Sequence, residues 1–533
     1  MTADVSQYTL QRSSLDLEAR DAETLQDPLE KEITIGDGIS RQSSRHIAES
    51  LSLPREILFV GIICTAQITT QAGLGQALII IRDIARSFNL TDPSELTWLI
   101  AGYSLTVGTF ILVSGRLGDM FGYKRMLIIG YAWFSVWSMI AGVAIYSNHV
   151  LFIFARVFQG IGPAILLPNA VALLGASYAP GSPRKDMVFA MFGACAPGGS
   201  LIGCAFAGVF ALTWWPWAFF SFAIALAMLA MVSCFVVPDA QPRNQFAGFC
   251  LWDKIKLLDL PGAVVGITAL VLFNFAWNQA PIVGWQKAYV YVTMLLGILL
   301  VPLFFYIELR VSKTPLVPFD ALTADVGFVL SCIVCGWASF GIWFFYLVNF
   351  LEILRGASPL LAVAYMSPVA VSGAIASVVT GFLLSKLRPA MVMTIALTWF
   401  TVGHILVATT PVHQTYWAQT FVGLVVIPWG MDMSFPAATI ILSNAVRKEH
   451  QGIAASLVTT IVNYSISLGL GFAGTVEVHV NHGGRTPHDL LLEYRGAWYL
   501  GIGCAGLGLC VSIVFLLRDY YKVNGKTKGG ATE

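Results

Sequence analysis

Charge is what this chain has least of. Only 11% of its 533 residues are Asp, Glu, Lys or Arg, against about a quarter in soluble domains, while 56% are hydrophobic. That excludes a soluble enzyme and a disordered chain. A formal net charge of +1 predicts no nucleic-acid partner. Nine cysteines, an odd number without secreted-domain spacing, predict no disulfide framework. Cys332 and Cys335 form a CxxC inside one apolar run with no second pair and no nearby His, so packing residues are expected there and no metal. HExxH and GxSxG are missing, and Gly525, Lys526 and Thr527 end a P-loop that lacks its upstream glycine, strand and helix. The expectation is no enzyme activity and no cofactor; energy must come from a gradient or from the substrate itself.

What is there is long apolar runs. Fourteen fall at about 57–81, 96–115, 126–146, 150–175, 187–212, 216–237, 260–280, 288–307, 326–350, 359–384, 390–410, 416–442, 452–476 and 497–517, most of them long enough to cross a bilayer as a helix. The predicted fold is an all-α polytopic membrane protein. Residues 1–55 are polar, with ten acids against six Lys or Arg, and are expected to form a disordered cytoplasmic tail. The first apolar run starts too late for a signal peptide. Placing the tail inside puts 24 Lys or Arg on that side and 6 on the other, which makes both termini cytoplasmic. Asn89, Leu90 and Thr91 then form an outer glycosylation sequon.

The chain is organised around GRLGDMFGYKR, Gly115 to Arg125, between the second and third runs. Arg116, Lys124 and Arg125 mark a cytoplasmic loop. Asp119 needs a cation or a helix N-terminus, and Gly115, Gly118 and Gly122 allow close or unusual backbone. Internal echoes accompany it. Pro168 to Leu174 (PNAVALL) is matched by Pro436 to Leu442 (PAATIIL), and Gly381 to Arg388 (GFLLSKLR) is a worn copy of the loop with Ser385 in place of the acid. Runs 1–6 therefore correspond to runs 9–14, with runs 7 and 8 inserted. The predicted parts are a six-helix bundle at 56–238, a loop and inserted pair at 239–310, a second bundle at 311–518 and a tail at 519–533.

The loop resembles the signature G-x-L-x-D-x-x-G-x-[RK]-[RK] of the major facilitator superfamily, matching at Gly115, Leu117, Asp119, Gly122, Lys124 and Arg125. The resemblance implies that Asp119 is a latch between two halves of a transporter. Arg156 in LFIFARVFQGIGP, with Gln159 one turn on, resembles the R-x-x-Q-G pattern that the superfamily links to proton coupling. Gly193 to Gly203 (GACAPGGSLIG) resembles the antiporter signature of the fifth helix, at Gly193, Pro197 and Gly199, with Ala196 and Ile202 replacing two of its glycines; Gly203 extends a small-residue stripe for close helix contact. Over 55–520 the chain resembles the fourteen-span drug:proton antiporter family, and Gly430 to Gly471 is similar to the fungal aminotriazole-resistance and boron-exporter type.

Asp432, in PWGMDMSFPAA, is the single acid placed deep in a span. Pro428 and Pro436 flank it, freeing local carbonyls, and the position suits a reversible proton carrier. It is expected to approach Arg156 across one cavity. The first run carries no acid before Asp83, where many drug:proton antiporters have one. Gln67, Gln71, Gln159, Asn463, Tyr464 and Trp429 are candidates for the substrate pathway, with Trp343, Tyr346 and Trp399 as stacking surfaces and His404 as a hydrogen-bonded core residue.

The expected function is a proton-coupled antiporter exporting small organic compounds, drugs or toxins by alternating access, with an uncoupled facilitator or importer of a small solute such as ammonium or boric acid as the alternative. Its partners are the substrate, protons and lipid. The expected state is a monomer, in the plasma membrane or, failing that, the vacuolar membrane. Removing residues 1–50 should leave transport unchanged, as measured by uptake into vesicles.

Overall fold

The computed structural model describes residues 51–90, 93–178, 182–239, 258–312, 315–316, 323–445, 451–480 and 486–529. The cytoplasmic-tail expectation for 1–50 and the sequon residue Thr91 lie outside them. Within them are 14 helices long and apolar enough to cross a membrane. They are α1 (Leu53–Ile79), α2 (Thr97–Phe121), α3 (Tyr123–Tyr146), α4 (His149–Ser177), α5 (Met187–Ala211), α6 (Pro216–Val236) and α7 (Leu260–Val283). The series continues with α8 (Ala288–Val311), α9 (Ala324–Leu354), α10 (Pro359–Lys386), α11 (Pro389–Ala408), α12 (Gln419–Leu442), α13 (Ser456–Val480) and α14 (Pro487–Tyr521). A short helix, Ile81–Ser87, follows α1. Helices alone can satisfy their backbone within an apolar layer, and serine, proline and asparagine start many of them, as where Asn148 accepts from the Leu151 amide at 2.8 Å.

Small residues decide which helices touch. A side chain at Gly199 would lie 2.7 Å from the carbonyl oxygen of Ile68, and one at Gly203 would overlap that of Ala72, so α1 and α5 meet backbone to backbone. Gly469 on α13 stands in the same relation to Ala338 on α9, at 2.6 Å. In this way α1 packs on α5 and α9 on α13; α3 packs on α4 and α6, and α11 on α12 and α14; α2 packs on α4, and α10 on α12.

Two extensive contacts join these groups, α2 against α13 and α5 against α10, with slighter ones of α1 against α9 and α10 and of α4 against α13. Along the first, Gly108 admits the backbone of Tyr464 and Thr460, while Gly115 faces Ser456. The second runs from Gly208 beside Leu360 to Pro197 beside Gly373. The chain thus has two ends, a loop end carrying Gly115–Arg125 and a far end carrying the α1–α2, α5–α6 and α9–α10 connections. Helix α2 is central, with 78% of its apolar window buried, and α8 is peripheral at 11%. Helix α7 fastens the pair α7–α8 to α13 and α2.

Several spans are longer than the sequence expectation. α9 reaches Leu354, α13 Val480 and α8 Val311, and α14 begins at Pro487. Each extension takes in an acid, Glu352, Glu477, Glu308 and Glu493, all at most 8% exposed. Asp432 is therefore not the single acid inside a span, which corrects the sequence reading. Acids and turns lower local hydropathy, so a hydropathy boundary stops short of a helix that packing continues.

The glycine contacts give a direct test. Gly203→Val should lower stability by about 1–3 kcal/mol, the range for overpacking, whereas Gly193→Ala should be silent because nothing lies within 4 Å of a side chain there; thermal unfolding in detergent checks both.

Candidate functional site

Asp432 sits on α12 facing α10 and α5. A side chain added at Gly373 would lie 2.9 Å from Asp432 Oδ2 and 2.8 Å from Pro197 Cγ, so the acid of α12 and the proline of the fifth-helix motif meet over one glycine of α10. Ser377 of α10 is a neighbour of the carboxyl, and Oδ2 is buried without a hydrogen-bond partner. One turn earlier, the Trp429 indole donates to Ser372 Oγ at 3.2 Å, and that hydroxyl donates to the Val425 carbonyl at 2.6 Å. Trp399 lies 6.3 Å from Trp429, ring to ring. Gly373, Ser372 and Ser377 were missed from sequence; the signal was the small, polar face of SGAIAS in α10.

Arg156 is fully buried, which excludes an arginine reaching out to the surface. Its Nε donates to the Leu99 carbonyl at 3.1 Å, Nη2 to the Gly73 carbonyl at 2.8 Å and Nη1 to Gln159 Oε1. Gln159 in turn donates to Ser138 Oγ at 2.6 Å. The Tyr103 ring lies 4.7 Å from the guanidinium, a contact worth about 2 kcal/mol or more when desolvated. These partners belong to α1, α2, α3 and α4. Among the described residues no ion pair joins Arg156 to Asp432, so the expected approach of the two is absent from this conformation. Gln159 is a partner of Arg156 here.

The expected loop Gly115–Arg125 is helical but for one residue: α2 runs to Phe121 and α3 starts at Tyr123, and Gly122 between them has φ +100°, a conformation that favours glycine. A side chain on Gly118 would overlap the amide of Asn169. Asp119 accepts from the Tyr123 hydroxyl at 2.7 Å, Lys124 pairs with the exposed Asp239 at 3.7 Å, and Arg125 is exposed. At the fifth-helix motif, Pro197, Gly199 and Gly203 are contact positions and Gly193 is not.

The remaining candidates scatter. Gln71 lies beside Gly199 and Gln67 is half-buried. Asn463 donates to its own helix at Thr459, and Tyr464 donates to the Leu270 carbonyl of α7 at 3.0 Å. Trp343 and Tyr346 are buried, and Cys332 donates to the Gly508 carbonyl of α14 at 3.7 Å. His404 is buried between the carbonyls of Phe400 and Ser339, at 2.9 and 2.8 Å, as a core histidine should be. Asn89 is exposed at φ +53°. A polar junction was missed altogether: Ser467 on α13 donates to the Ala101 carbonyl of α2 and to Asn274 on α7, both at 2.9 Å, and Asn278 donates to the Ser467 carbonyl at 3.2 Å.

The family model of the Major Facilitator Superfamily matches residues 59–470, and matches again over 373–532. The chain belongs to this superfamily. Among its superfamily relatives, the low affinity ammonium transporter of Saccharomyces cerevisiae is 54% identical over 473 residues, 88% of this chain and 90% of that protein. The efflux pump terJ of Aspergillus terreus is 46% identical, covering 90% and 92%, and the aminotriazole resistance protein of S. cerevisiae is 38% identical, covering 88% and 85%. A crystal structure of a peptide transporter in complex with sulfate shares the fold at a TM-score of 0.63 and 14% identity, covering 90% of this chain and 98% of that one.

The Arg156 network makes a sharp prediction. Lysine offers one ammonium where the guanidinium serves three separated acceptors, so Arg156→Lys should cost about 1–3 kcal/mol for each buried acceptor it leaves unpaired. A lower unfolding temperature in detergent is the expected result.

Proposed function

We propose that the chain is a proton-coupled antiporter that exports small organic compounds by alternating access. The observation that carries this reading is the seat of Asp432, a carboxyl with one buried, unpartnered oxygen at the meeting of α12, α10 and α5. A charge there is costly and a proton removes the cost, so the carboxyl suits a proton carrier lying where two bundles touch. The bundles are 56–238 and 311–518, related as six-helix repeats, with 239–310 inserted. The helix contacts support the repeat: α1 with α5 and α9 with α13, α2 with α4 and α10 with α12, are the same pairs eight helices apart. The two lines between bundles, α2 with α13 and α5 with α10, exchange under the same shift, as rocking about a shared axis requires.

Efflux is supported by the names of relatives such as the efflux pump terJ and the aminotriazole resistance protein. The charge bias supports cytoplasmic termini and a cytoplasmic loop end, with Asp119 as its latch, and the plasma membrane as location. Gln67, Gln71, Trp429, Asn463 and Tyr464 line the substrate path in this reading, and Arg156 and Gln159 hold the first bundle rigid beside it.

A second reading has its own observation: the 54% identical relative is named for ammonium. In that reading the chain moves a small solute without proton exchange. Purified protein in liposomes with an internal pH dye separates the two. Azoles, organic dyes or other drugs should trigger proton flux that Asp432→Asn abolishes while insertion is unchanged; ammonium or borate movement without protein-dependent proton exchange, unaffected by that substitution, selects the second reading.

A further inference from the structure

The far end holds a second carboxyl with no role in the mechanism above. Glu352 lies in the last turn of α9, where Phe350–Leu354 winds one residue wider than an α-helix and the Arg355 amide donates to the Phe350 carbonyl at 3.1 Å. Such turns recur at functional sites. Glu352 is 5% exposed, and its Oε1 is buried with no hydrogen-bond partner.

The surroundings come from both bundles. Arg82, Asp83 and Arg86 of the short helix after α1 are the charges facing it, with Cys204 of α5 and Tyr494 of α14 also beside it. None of them forms an ion pair with the carboxyl. Arg82 spends its Nη1 on the main-chain oxygen of Glu352 at 3.5 Å, and Arg86 pairs with Asp83 at 3.4 Å. Among the described residues no ion pair reaches Glu352. Neighbouring Arg355 turns away, donating to the Pro411 carbonyl at 3.1 Å.

We infer that Glu352 is a second proton-binding carboxyl of the transport cycle, which takes up its proton before the far ends of α1, α5 and α9 close together. Closure strips water from an acid that the facing arginines approach without pairing to its carboxyl. An ionised carboxylate in that position costs several kcal/mol, and a bound proton removes most of it. With the far end parted, water solvates both oxygens and the charge is tolerated. Proton binding and closure are therefore linked, each favouring the other. This deepens the proton-coupled reading and rests on it only for the direction of transport. It places one carboxyl at the mouth and one, Asp432, within the bundle.

The test reads closure without transport. Thr213, between α5 and α6, and His413, between α11 and α12, are exposed and sit at the far end on different bundles. Spin labels on Thr213→Cys and His413→Cys, in a variant with its native cysteines replaced and held in nanodiscs, report the gap by pulsed electron resonance. Acidic buffer should give the short, closed distance, and alkaline buffer should add a longer one. Glu352→Gln should lose that response and keep the short distance throughout, and Glu352→Asp should retain it. A Glu352→Gln protein that opens at alkaline pH like its parent, or a parent that ignores pH, overturns the inference. Asp432→Asn should keep the response. If Asp432→Asn transports normally while the response at Glu352 stands, only the role given to Asp432 falls.

Discussion

Inside an apolar layer a polar group has no water to fall back on, and the protein must supply every partner. Arg156 states that constraint most strongly. Its guanidinium collects carbonyls from α1 and α2, a side chain from its own helix and, through Gln159, a hydroxyl from α3, while the rings of Tyr103 and of Phe219 on α6 face it at 4.7 and 6.0 Å. Five helices are thereby referred to one cation. His404 does comparable work elsewhere, joining α11 to α9 and lying against Gly501 of α14. A group partnered as Arg156 is has nothing to gain by changing state, so it serves as a fixed point.

The complementary class is the group that burial leaves unpartnered. One oxygen of Asp432 and one of Glu352 are buried without a donor. Such an oxygen carries a penalty whose size depends on whether the carboxyl is charged, and so these residues are the ones whose energy a proton can alter. The neighbour of Asp432 on α10 is the neutral Ser377, where an arginine would fix the carboxyl's charge.

The spans and the superfamily were legible because they rest on local patterns: apolar runs of sufficient length, and a loop whose glycines and charges fall at fixed spacing. Arg156, with Gln159 at i+3, could also be paired from sequence, since both lie on one helix face. What was not legible depends on contacts between distant segments. No local pattern says that Pro197 meets Gly373, or that Ser467 reaches α2 and α7, because each requires knowing which helices cross and at what depth. Glu352 was hidden for another reason. Hydropathy ends α9 at about residue 350, whereas the helix continues through a wider turn to Leu354 and carries the acid inward.

Backbone contact explains how such a bundle can be both tight and movable. Gly199, Gly203 and Gly469 bring helices of one bundle together across main-chain atoms, which leaves little room for sliding and favours motion of the bundle as a body. Between bundles the contacts differ in kind. Gly108 and Gly115 meet α13 along α2, Ser467 adds a hydrogen bond near the far end, and the α5 line is formed by Pro197 and Gly208 against α10. A few small residues and single hydrogen bonds are each worth about 1 kcal/mol, comparable to the difference that one proton on a buried carboxyl can make. In the proposed cycle, protonation at the junction is therefore enough to decide which of two arrangements is favoured, while the backbone-to-backbone seams within each bundle, as at Gly199, Gly203 and Gly469, move as one piece.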